Sequence, residues 1–340
     1  MVCIIVTASI FTPNFRRPYG KYSTYFAPPP AVGCLPPPRE QMVPCPHNSR
    51  HIVVSAATTR MTFGHQFAEE FEDATKMEVQ RQHKIFALLR EGYEALFHLR
   101  PDDAKYLAQR TESLYAESSK NGGLNIGLHV RHGDMHPWEY QYSKDYIPLD
   151  RYIDTARDMI NGQNSGWSKS RKSKPVKKNT DNLSQYASSK IILASDDPDV
   201  YENAEMSQTT RAQDHIILAT KKKLEAASGK KNPWVDEISG WEGGFYRDVF
   251  WSLGRPVGNR FDVDHLDNNE APEGAMKLRE LVGRAYLLDL AVLGKSDAVV
   301  CTVSATGCRI LAVMLGWESA INQGNWRNID GDFDWKGIIW

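Results

Sequence analysis

The sequence lacks several features that identify common classes of protein. Its 340 residues contain no apolar run long enough to span a bilayer. Forty-one basic side chains nearly balance forty-two acidic ones, which leaves a net charge of −1. A protein that wraps nucleic acid usually has a large positive excess. We therefore expect no nucleic-acid partner, and we expect any anionic ligand to be held by a few local cations.

Three motifs of common nucleotide-binding and hydrolytic enzymes are also missing. There is no GxxxxGK[ST] loop, which argues against a P-loop NTPase. No GxGxxG follows a predicted strand, which weakens the case for a nicotinamide cofactor. The GxSxG elbow of an α/β-hydrolase is absent as well.

Cysteine is scarce, and its spacing favours disulfides. Of the five cysteines, Cys34 and Cys45 enclose a proline-rich loop, Cys301 and Cys308 enclose the segment CTVSATGC, and Cys3 is left over. Two short loops, each closed by a pair, favour two disulfides and an oxidising compartment. Zinc ligands and free buried thiols remain the alternatives.

Residues 1–48 are rich in proline and aromatic side chains, and we expect a poorly ordered stem or lead-in there. The apolar stretch from Val2 to Phe11 is too short to span a membrane and has no basic leader. Three interpretations of this stretch stay open: a weak signal remnant, a truncated membrane anchor and a miscalled start. We expect membrane contact only through such an N-terminal anchor.

Residues 49–123 form the next predicted unit. HIVVSAATT (51–59) is predicted to be a short strand because it is β-branched and apolar. From Phe67 to about Leu99 the apolar residues recur at helical spacing, which predicts one or two amphipathic helices. A further helix is predicted from Asp103 to about Ser118, and it ends before the Asn-Gly-Gly sequence at 121–123.

Residues 124–340 alternate between strand-like and helical patterns. Helices are predicted at 149–160 and 277–293, and strands at NIGLHVR (125–131), KIILAS (190–195), HIILAT (215–220) and DAVVCTV (297–303). Apolar strands that alternate with helices are typical of a parallel sheet covered on both faces, so the expected fold class is α/β. The basic, serine-rich insert at 165–189 is predicted to be a mobile surface loop, with a membrane or polyanion contact as the alternative.

Polar residues follow three of these strands, where open α/β sheets bind their ligands. Arg131 ends the first strand and has the geometry to bind a phosphate through two N–H groups. The turn after the last strand leads into a helix whose free N–H groups suit an anion. The candidates are His132, Gly133, Asp134, His136 and Glu139 after the first strand, Asp196 and Asp197 after the second, and Ser304, Thr306 and Gly307 after the last. A metal centre built from the histidines and aspartates of this set, together with His129, is an alternative.

Asp289 lies in the middle of an apolar helical segment, AYLLDLAVL, where a carboxylate needs a partner. One interpretation is a buried salt bridge with Arg284 or Arg309. The other is that the carboxylate accepts the two adjacent hydrogens on the N1 and N2 atoms of a guanine. The residues alone favour neither.

Three segments resemble the donor-binding motifs of the α-1,6-fucosyltransferase family (glycosyltransferase family 23). They are GLHVRHGD with a downstream glutamate, LASDDP, and LLDLAVLGKSDAVVCTVSATGCR. The similarity covers residues 124–315 in pieces. The family includes the enzymes that core-fucosylate N-glycans and bacterial chitin-oligosaccharide fucosyltransferases.

The resemblance implies two Rossmann-like domains that face a cleft (a GT-B-like fold), with GDP-fucose bound mainly by the C-terminal domain and the acceptor beside residues 49–123. It implies inverting transfer to a glycan or glycoprotein, without a metal or other cofactor, in the secretory pathway and most simply the Golgi lumen. The sequence does not indicate the acceptor, the linkage or the oligomeric state.

The resemblance also implies roles for individual residues. The catalytic residues are Glu139, as the base, and Arg131, which grips the β-phosphate. Asp289 reads the guanine, and Cys301 and Cys308 form a disulfide beside the donor site. The donor-binding set is His129, Arg131, His132, Asp196, Asp197, Asp289, Ser304, Ala305 and Thr306.

Three positions depart from the family pattern. His132 replaces a second arginine, Met135 replaces a lysine near the phosphates, and Ala305 replaces a serine. These changes imply weaker donor binding, a different sugar nucleotide, or a catalytically silent relative that binds GDP or a glycan. Outside the resemblance, Trp241, Phe245 and Trp251 are candidates for stacking on a sugar, although core or surface packing is the favoured interpretation.

Overall fold

The computed structural model describes residues 3–6, 22–28, 51–54, 81–132, 146–162, 188–217, 241–242, 245–246, 273–331 and 333–335. The helices in these ranges are α1 (Tyr22–Tyr25), α2 (Arg81–Leu96), α3 (Pro101–Lys120), α4 (Leu149–Ile160), α5 (Glu273–Leu293) and α6 (Thr306–Leu315). The strands are β1 (Cys3–Val6), β2 (His51–Val54), β3 (Asn125–Val130), β4 (Lys190–Ser195), β5 (Thr210–Arg211), β6 (Trp241–Glu242), β7 (Phe245–Tyr246), β8 (Ala298–Cys301) and β9 (Trp326–Asn328).

A five-stranded parallel sheet forms the centre of the described structure. Its strand order is β5–β4–β3–β8–β9. The strands β3 and β8 are buried along their whole length, which explains why apolar residues predominate in both. The α/β class predicted from the sequence is confirmed, and the sheet is compatible with a Rossmann-like fold.

Helices cover both faces of this sheet. On one face, Ile126, Leu128 and Val130 of β3 pack with the buried residues of α4, among them Tyr152 and Ile153. On the other face, alternate residues of β4 and β8 pack with α5 and α6; this second core contains Ile192, Ala194, Val299, Cys301, Leu290, Val292, Leu311 and Ala312. Alternation along the strands thus decides which core each side chain joins.

The helices before the boundary predicted at residue 123 share a core with the sheet after it. Phe86 of α2 and Leu114 of α3 belong to the same cluster as α5 and α6. The Tyr115 hydroxyl donates a hydrogen bond of 2.7 Å to the carbonyl of Val292 in α5. Residues 22–28, which lie in the predicted lead-in, also pack here, since Phe26 forms a β-bridge with Leu99.

Several predicted elements agree with the structure. The helix predicted at 149–160 matches α4, and those predicted at 103–118 and 277–293 lie within α3 and α5. The strand predicted at 51–59 begins as β2, which pairs in parallel with β1. The part of the first predicted helix before residue 81 and residues 165–187 of the predicted insert lie outside the described residues.

The strand predicted at 215–220 is wrong in its described part. The edge strand β5 lies earlier, at Thr210–Arg211, and the chain bends at His215 and Ile216. The reason is a local turn, in which the Gln213 side chain donates to the carbonyl of Ile216 at 2.8 Å and accepts from its N–H at 2.9 Å. Because Ile216 uses both backbone groups in this turn, it does not join a strand.

The order of the strands indicates where a ligand is expected to bind. From β3 the chain proceeds to β4 and β5 on one side, and it then returns to β8 and β9 on the other side of β3. The carboxyl ends of β3 and β8 therefore flank a topological switch point, where open α/β sheets bind ligands. His129 and Cys301 are register partners at this point.

A disulfide joins Cys301 at the end of β8 to Cys308 in α6. This confirms one of the two predicted pairs, and Cys34 and Cys45 lie outside the described residues. No helix in the described ranges has an apolar stretch long enough to cross a bilayer.

Candidate functional site

Two acidic residues at the end of β4 hold two basic residues at the end of β3. Arg131 Nη1 lies 2.9 Å from Asp196 Oδ2, and the backbone N–H of His132 donates to Asp196 Oδ1 at 3.0 Å. The ring of His132 is hydrogen-bonded through Nδ1 to Asp197 Oδ2 at 2.8 Å. The structure thus brings together four of the predicted donor-site residues, and the acidic pair positions Arg131 and His132.

The Asp196 carboxylate is nearly inaccessible, whereas Arg131 is partly exposed, since their side chains are 3% and 26% exposed. Asp197 is fixed in turn, because its Oδ1 accepts from the N–H of Asp199 at 2.8 Å. The Arg131 guanidinium therefore projects from a rigid carboxylate support. Such a preorganised cation suits the binding of a phosphate at the switch point.

His129 is buried on the face of the sheet that carries α5 and α6. Burial, followed by the charge of Arg131, lowers the pKa of His129 to about 3, so the ring is neutral at neutral pH. Its Nδ1 has no hydrogen-bond partner within the described part of the chain. A Cβ at Gly307 would lie 3.0 Å from the ring and 2.3 Å from the Tyr286 hydroxyl, so only glycine lets α6 approach this closely.

The turn after β8 leads directly into α6. Ala305 is the residue that precedes α6, and its methyl side chain provides no cap for the first turn. The first N–H groups of a helix have no partner within the helix, so this end of α6 suits an anion. Ser304 and Thr306 lie on the two sides of Ala305 in the loop closed by the disulfide.

Two residues that the sequence analysis missed support this turn. Asn328, at the end of β9, accepts through Oδ1 from the N–H groups of Val303 and Asp330, each at 2.9 Å. Burial raises the pKa of Asp330, and hydrogen bonds from the side chain and backbone of Ser304 oppose that shift. Their position at the carboxyl end of a parallel strand, in the sequence NIDG, is the signal that could have identified them.

Asp289 of α5 is a buried carboxyl at the same edge of the sheet. The residue is 7% exposed, and its Oδ1 has no hydrogen-bond partner among the described residues. The predicted salt bridge with Arg284 is wrong, because Arg284 pairs with Asp103 at 2.6 Å. Arg309 forms no ion pair with Asp289 in the described ranges, where its buried Nε lacks a hydrogen-bond partner.

Burial raises the pKa of Asp289 well above its ordinary value. Hydrogen bonds from the side-chain amide and the backbone N–H of Gln213, together with the charge of Arg211, oppose this shift. The Arg211 guanidinium lies over the ring of Tyr201, 3.7 Å from its centroid. Gln213 and Arg211 were not predicted as site residues, because the sequence patterns placed the edge strand too late.

The remaining predicted residues lie outside the described ranges. These include Glu139 and, after β3, Gly133, Asp134, Met135 and His136. Trp251 is also outside, and Trp241 and Phe245 are described only as backbone in β6 and β7. The catalytic base and two ligands of the alternative metal centre therefore stay predictions.

Asp289→Asn is expected to make stability less dependent on pH. The folded-state pKa of Asp289 lies above the unfolded value, so the folded state binds more protons between the two and the free energy of unfolding falls as pH rises through this window. The loss of stability caused by ionising the buried carboxyl is absent below the unfolded pKa of about 4 and is fully present above the folded pKa. Urea unfolding of both proteins, from about pH 4 to 8, should show the variant gaining stability relative to the wild type as pH rises. A difference that is constant over this range would contradict the expectation.

No protein-family model matches this chain, and no curated protein is significantly similar to it.

Proposed function

We propose that this chain is an inverting glycosyltransferase that transfers fucose from GDP-fucose to a hydroxyl of a glycan or glycoprotein. One observation supports the proposal most: Arg131 and the start of α6 follow the ends of the neighbouring strands β3 and β8, and the buried Asp289 is close enough to Asp196 to feel its charge. Arg131 and the start of α6 provide for a diphosphate, and Asp289 provides acceptors for a guanine. The resemblance of the three sequence segments supports the same set of residues.

The leaving group gains negative charge as the bond to the anomeric carbon breaks. Arg131 and the first N–H groups of α6 stabilise that charge, and Asp196 keeps the guanidinium in place before the reaction. Electrostatic stabilisation of this kind replaces a divalent cation, so turnover is proposed to be independent of metal. Neutral His129 lies beside the first turn of α6 and contacts the nucleoside part of the donor.

The acceptor hydroxyl is a weak nucleophile and needs a general base. Glu139 takes this proton as the hydroxyl attacks the face opposite the diphosphate, which inverts the anomeric configuration. The proposal includes a second Rossmann-like domain on the acceptor side and a cleft between the two domains. The disulfide between Cys301 and Cys308 fits a lumenal compartment such as the Golgi.

A catalytically silent GDP- or glycan-binding relative is the second candidate. Its specific support is that Arg131 and His132 already face carboxylates. This arrangement reduces the positive potential that is offered to a diphosphate, and the replacements at Met135 and Ala305 remove further polar groups. A transferase that uses another nucleotide sugar would differ instead in the residues that contact the nucleobase.

Calorimetric titration with GDP, GDP-fucose, UDP and CMP in the presence of EDTA tests the proposal. We expect GDP to bind without metal and more tightly than UDP or CMP. Hydrolysis of GDP-fucose, compared with that of Glu139→Gln, then separates an enzyme from a silent relative. Preference for UDP or CMP over GDP would redirect the proposal to another donor.

Asp289→Asn is expected to weaken GDP binding about tenfold to a hundredfold, because one carboxyl oxygen that would accept from the guanine is replaced by an NH2 donor at a buried site. Asp154→Asn is the matched control, since its side chain is 69% exposed beside Arg157 on α4. Calorimetric titration of both variants measures the difference. Equal GDP affinities for the two variants would remove Asp289 from the donor site.

A further inference from the structure

His132 and Tyr146 lie on the two sides of the segment that contains the proposed general base. Residues 133–145, with Glu139 among them, begin directly after His132 and end directly before Tyr146. The rings of His132 and Tyr146 are stacked, with their centroids 4.1 Å apart and their planes 14° apart. One pair of side chains therefore holds the two ends of this segment together, and it will be called the His132–Tyr146 clamp.

The His132 side of the clamp is fixed by the end of β4. The His132 ring is hydrogen-bonded through Nδ1 to Asp197 Oδ2 at 2.8 Å, and the His132 backbone N–H donates to Asp196 Oδ1 at 3.0 Å. Asp197 is held in turn, because it accepts from the N–H of Asp199 at 2.8 Å and donates its own N–H to Ser195 Oγ at 3.1 Å. These bonds fix both the backbone and the ring of His132.

The Tyr146 side of the clamp is fixed by α4. Ile147 is the residue after Tyr146, and it packs against the core that β3 and α4 share. The helix α4 begins at Leu149 and buries Tyr152 and Ile153 in the same core. The clamp therefore connects two rigid parts of the fold, the end of β3 and the start of α4.

The contacts of His132 leave little of its ring for a diphosphate. The side chain of His132 is 11% exposed, whereas that of Arg131 is 26% exposed. Asp197 occupies Nδ1, and Tyr146 covers one face of the ring. The resemblance to fucosyltransferases assigns His132 to the donor-binding set, but these contacts favour a role in holding the backbone.

We propose that His132 is a positioning residue that acts on Glu139 through the His132–Tyr146 clamp, and that it is not a second cation for the diphosphate. The inference rests on the proposed function, in which Glu139 is the general base. Holding the ends of a segment together reduces the number of conformations that are open to the residues between them. A general base works only within hydrogen-bond reach of the proton that it takes. The clamp therefore favours catalysis by Glu139, whereas donor binding depends on Arg131 and the start of α6.

The first test separates turnover from donor binding. In Tyr146→Ala and in His132→Ala, kcat for the hydrolysis of GDP-fucose should fall about tenfold to a hundredfold, because a small displacement of a catalytic group is sufficient for such a loss. The affinity for GDP, measured by calorimetric titration, should stay at the wild-type value in both variants. Tyr146→Phe keeps the stacked ring, so it should retain the wild-type kcat.

Tyr106→Ala is the matched control, because it removes a tyrosine from another stack with a histidine. Tyr106 of α3 stacks on His215, with the ring centroids 4.8 Å apart, and this pair does not flank residues 133–145. The control should keep the wild-type kcat. A contact between His132 and the diphosphate would instead weaken GDP binding in His132→Ala but not in Tyr146→Ala, and that result would overturn the inference.

Limited proteolysis tests the clamp without any measurement of activity. Chymotrypsin cleaves after aromatic residues, and residues 133–145 contain Trp138, Tyr140 and Tyr142. Cleavage at these residues should be faster in Tyr146→Ala than in the wild type or in Tyr106→Ala, because proteases act on locally opened chain. Equal cleavage rates in all three proteins would overturn the clamp. A wild type that neither binds GDP nor hydrolyses GDP-fucose would overturn the proposed function, and with it the role of the clamp in catalysis.

Discussion

Asp103→Ala is expected to lower the free energy of unfolding by about 3 kcal/mol, because it leaves a mostly buried guanidinium without its carboxylate. Arg284 donates to Asp103 from Nε at 2.9 Å and from Nη2 at 2.6 Å. The side chains of Asp103 and Arg284 are 2% and 15% exposed. This bidentate ion pair joins α3 to α5. Because α5 carries Asp289, loss of the pair also disturbs the support of the proposed nucleobase site.

Asp102→Ala provides the matched control within the same helical turn. The Asp102 side chain is 80% exposed and faces Arg100 at 3.1 Å, and exposed ion pairs contribute at most about 1 kcal/mol. Urea unfolding monitored by circular dichroism measures both changes. The double variant Asp103→Leu/Arg284→Met should be more stable than Asp103→Ala, since it leaves no unpaired charge. Equal decreases in the free energy of unfolding for Asp102→Ala and Asp103→Ala would show that the buried ion pair contributes no more than the exposed one.

The sheet was largely predictable because the sequence of each of its central strands has a recognisable strand pattern. β3, β4 and β8 are apolar and short, and helical patterns separate them, so sequence periodicity alone indicates parallel strands with both faces covered. The edge strand β5 was misplaced because the apolar run at HIILAT is more strand-like than Thr210 and Arg211. The hydrogen bonds between Gln213 and Ile216 are the competing interaction, and no periodicity reveals them.

The sequence predicted which residues lie together where strand ends determine it, and it missed the residues that are brought in by tertiary contacts. Arg131 and Asp196 follow neighbouring strands, so the rule for the carboxyl ends of parallel strands is sufficient to bring them together. Asn328 accepts from the backbone of Val303 in a separate segment, and Gln213 bonds to the backbone of Ile216 in a local turn; the sequence pattern indicates neither contact. The sequence left Arg284 open as a partner of Asp289 for a related reason, because its actual partner Asp103 is 181 positions away in the chain.

The support of the site is distributed over several elements. The disulfide closes the turn before α6, Asn328 ties that turn to β9, and Arg110 ties the end of β5 to α3. Each of these contacts fixes a backbone segment, whereas the proposed ligand contacts come from Arg131, Asp289 and helix N–H groups. Replacing a supporting residue should therefore change stability and affinity together, and replacing a ligand contact should change mainly binding or turnover.

Arg131→Ala is expected to lower the rate of GDP-fucose cleavage about a hundredfold to a thousandfold, the usual effect of removing a group that stabilises developing charge. The reason is that the guanidinium is held by Asp196 at 2.9 Å, ready for the diphosphate. Steady-state measurement of kcat and KM for GDP-fucose tests this expectation. Arg131→Lys should recover part of the rate, because lysine retains the charge but lacks the planar fork.

Arg131→Ala also leaves the buried Asp196 carboxylate without its ion pair, and this second effect has to be separated from the first. The double variant Arg131→Ala/Asp196→Asn removes both charges, so it should regain stability in a thermal unfolding experiment while its turnover stays low. Arg157→Ala, on the exposed surface of α4 beside Asp154, is the control for loss of a positive charge. Recovery of turnover in the double variant would mean that Arg131 only compensates Asp196, and the stabilisation of the leaving group would then have to come from the N-terminus of α6.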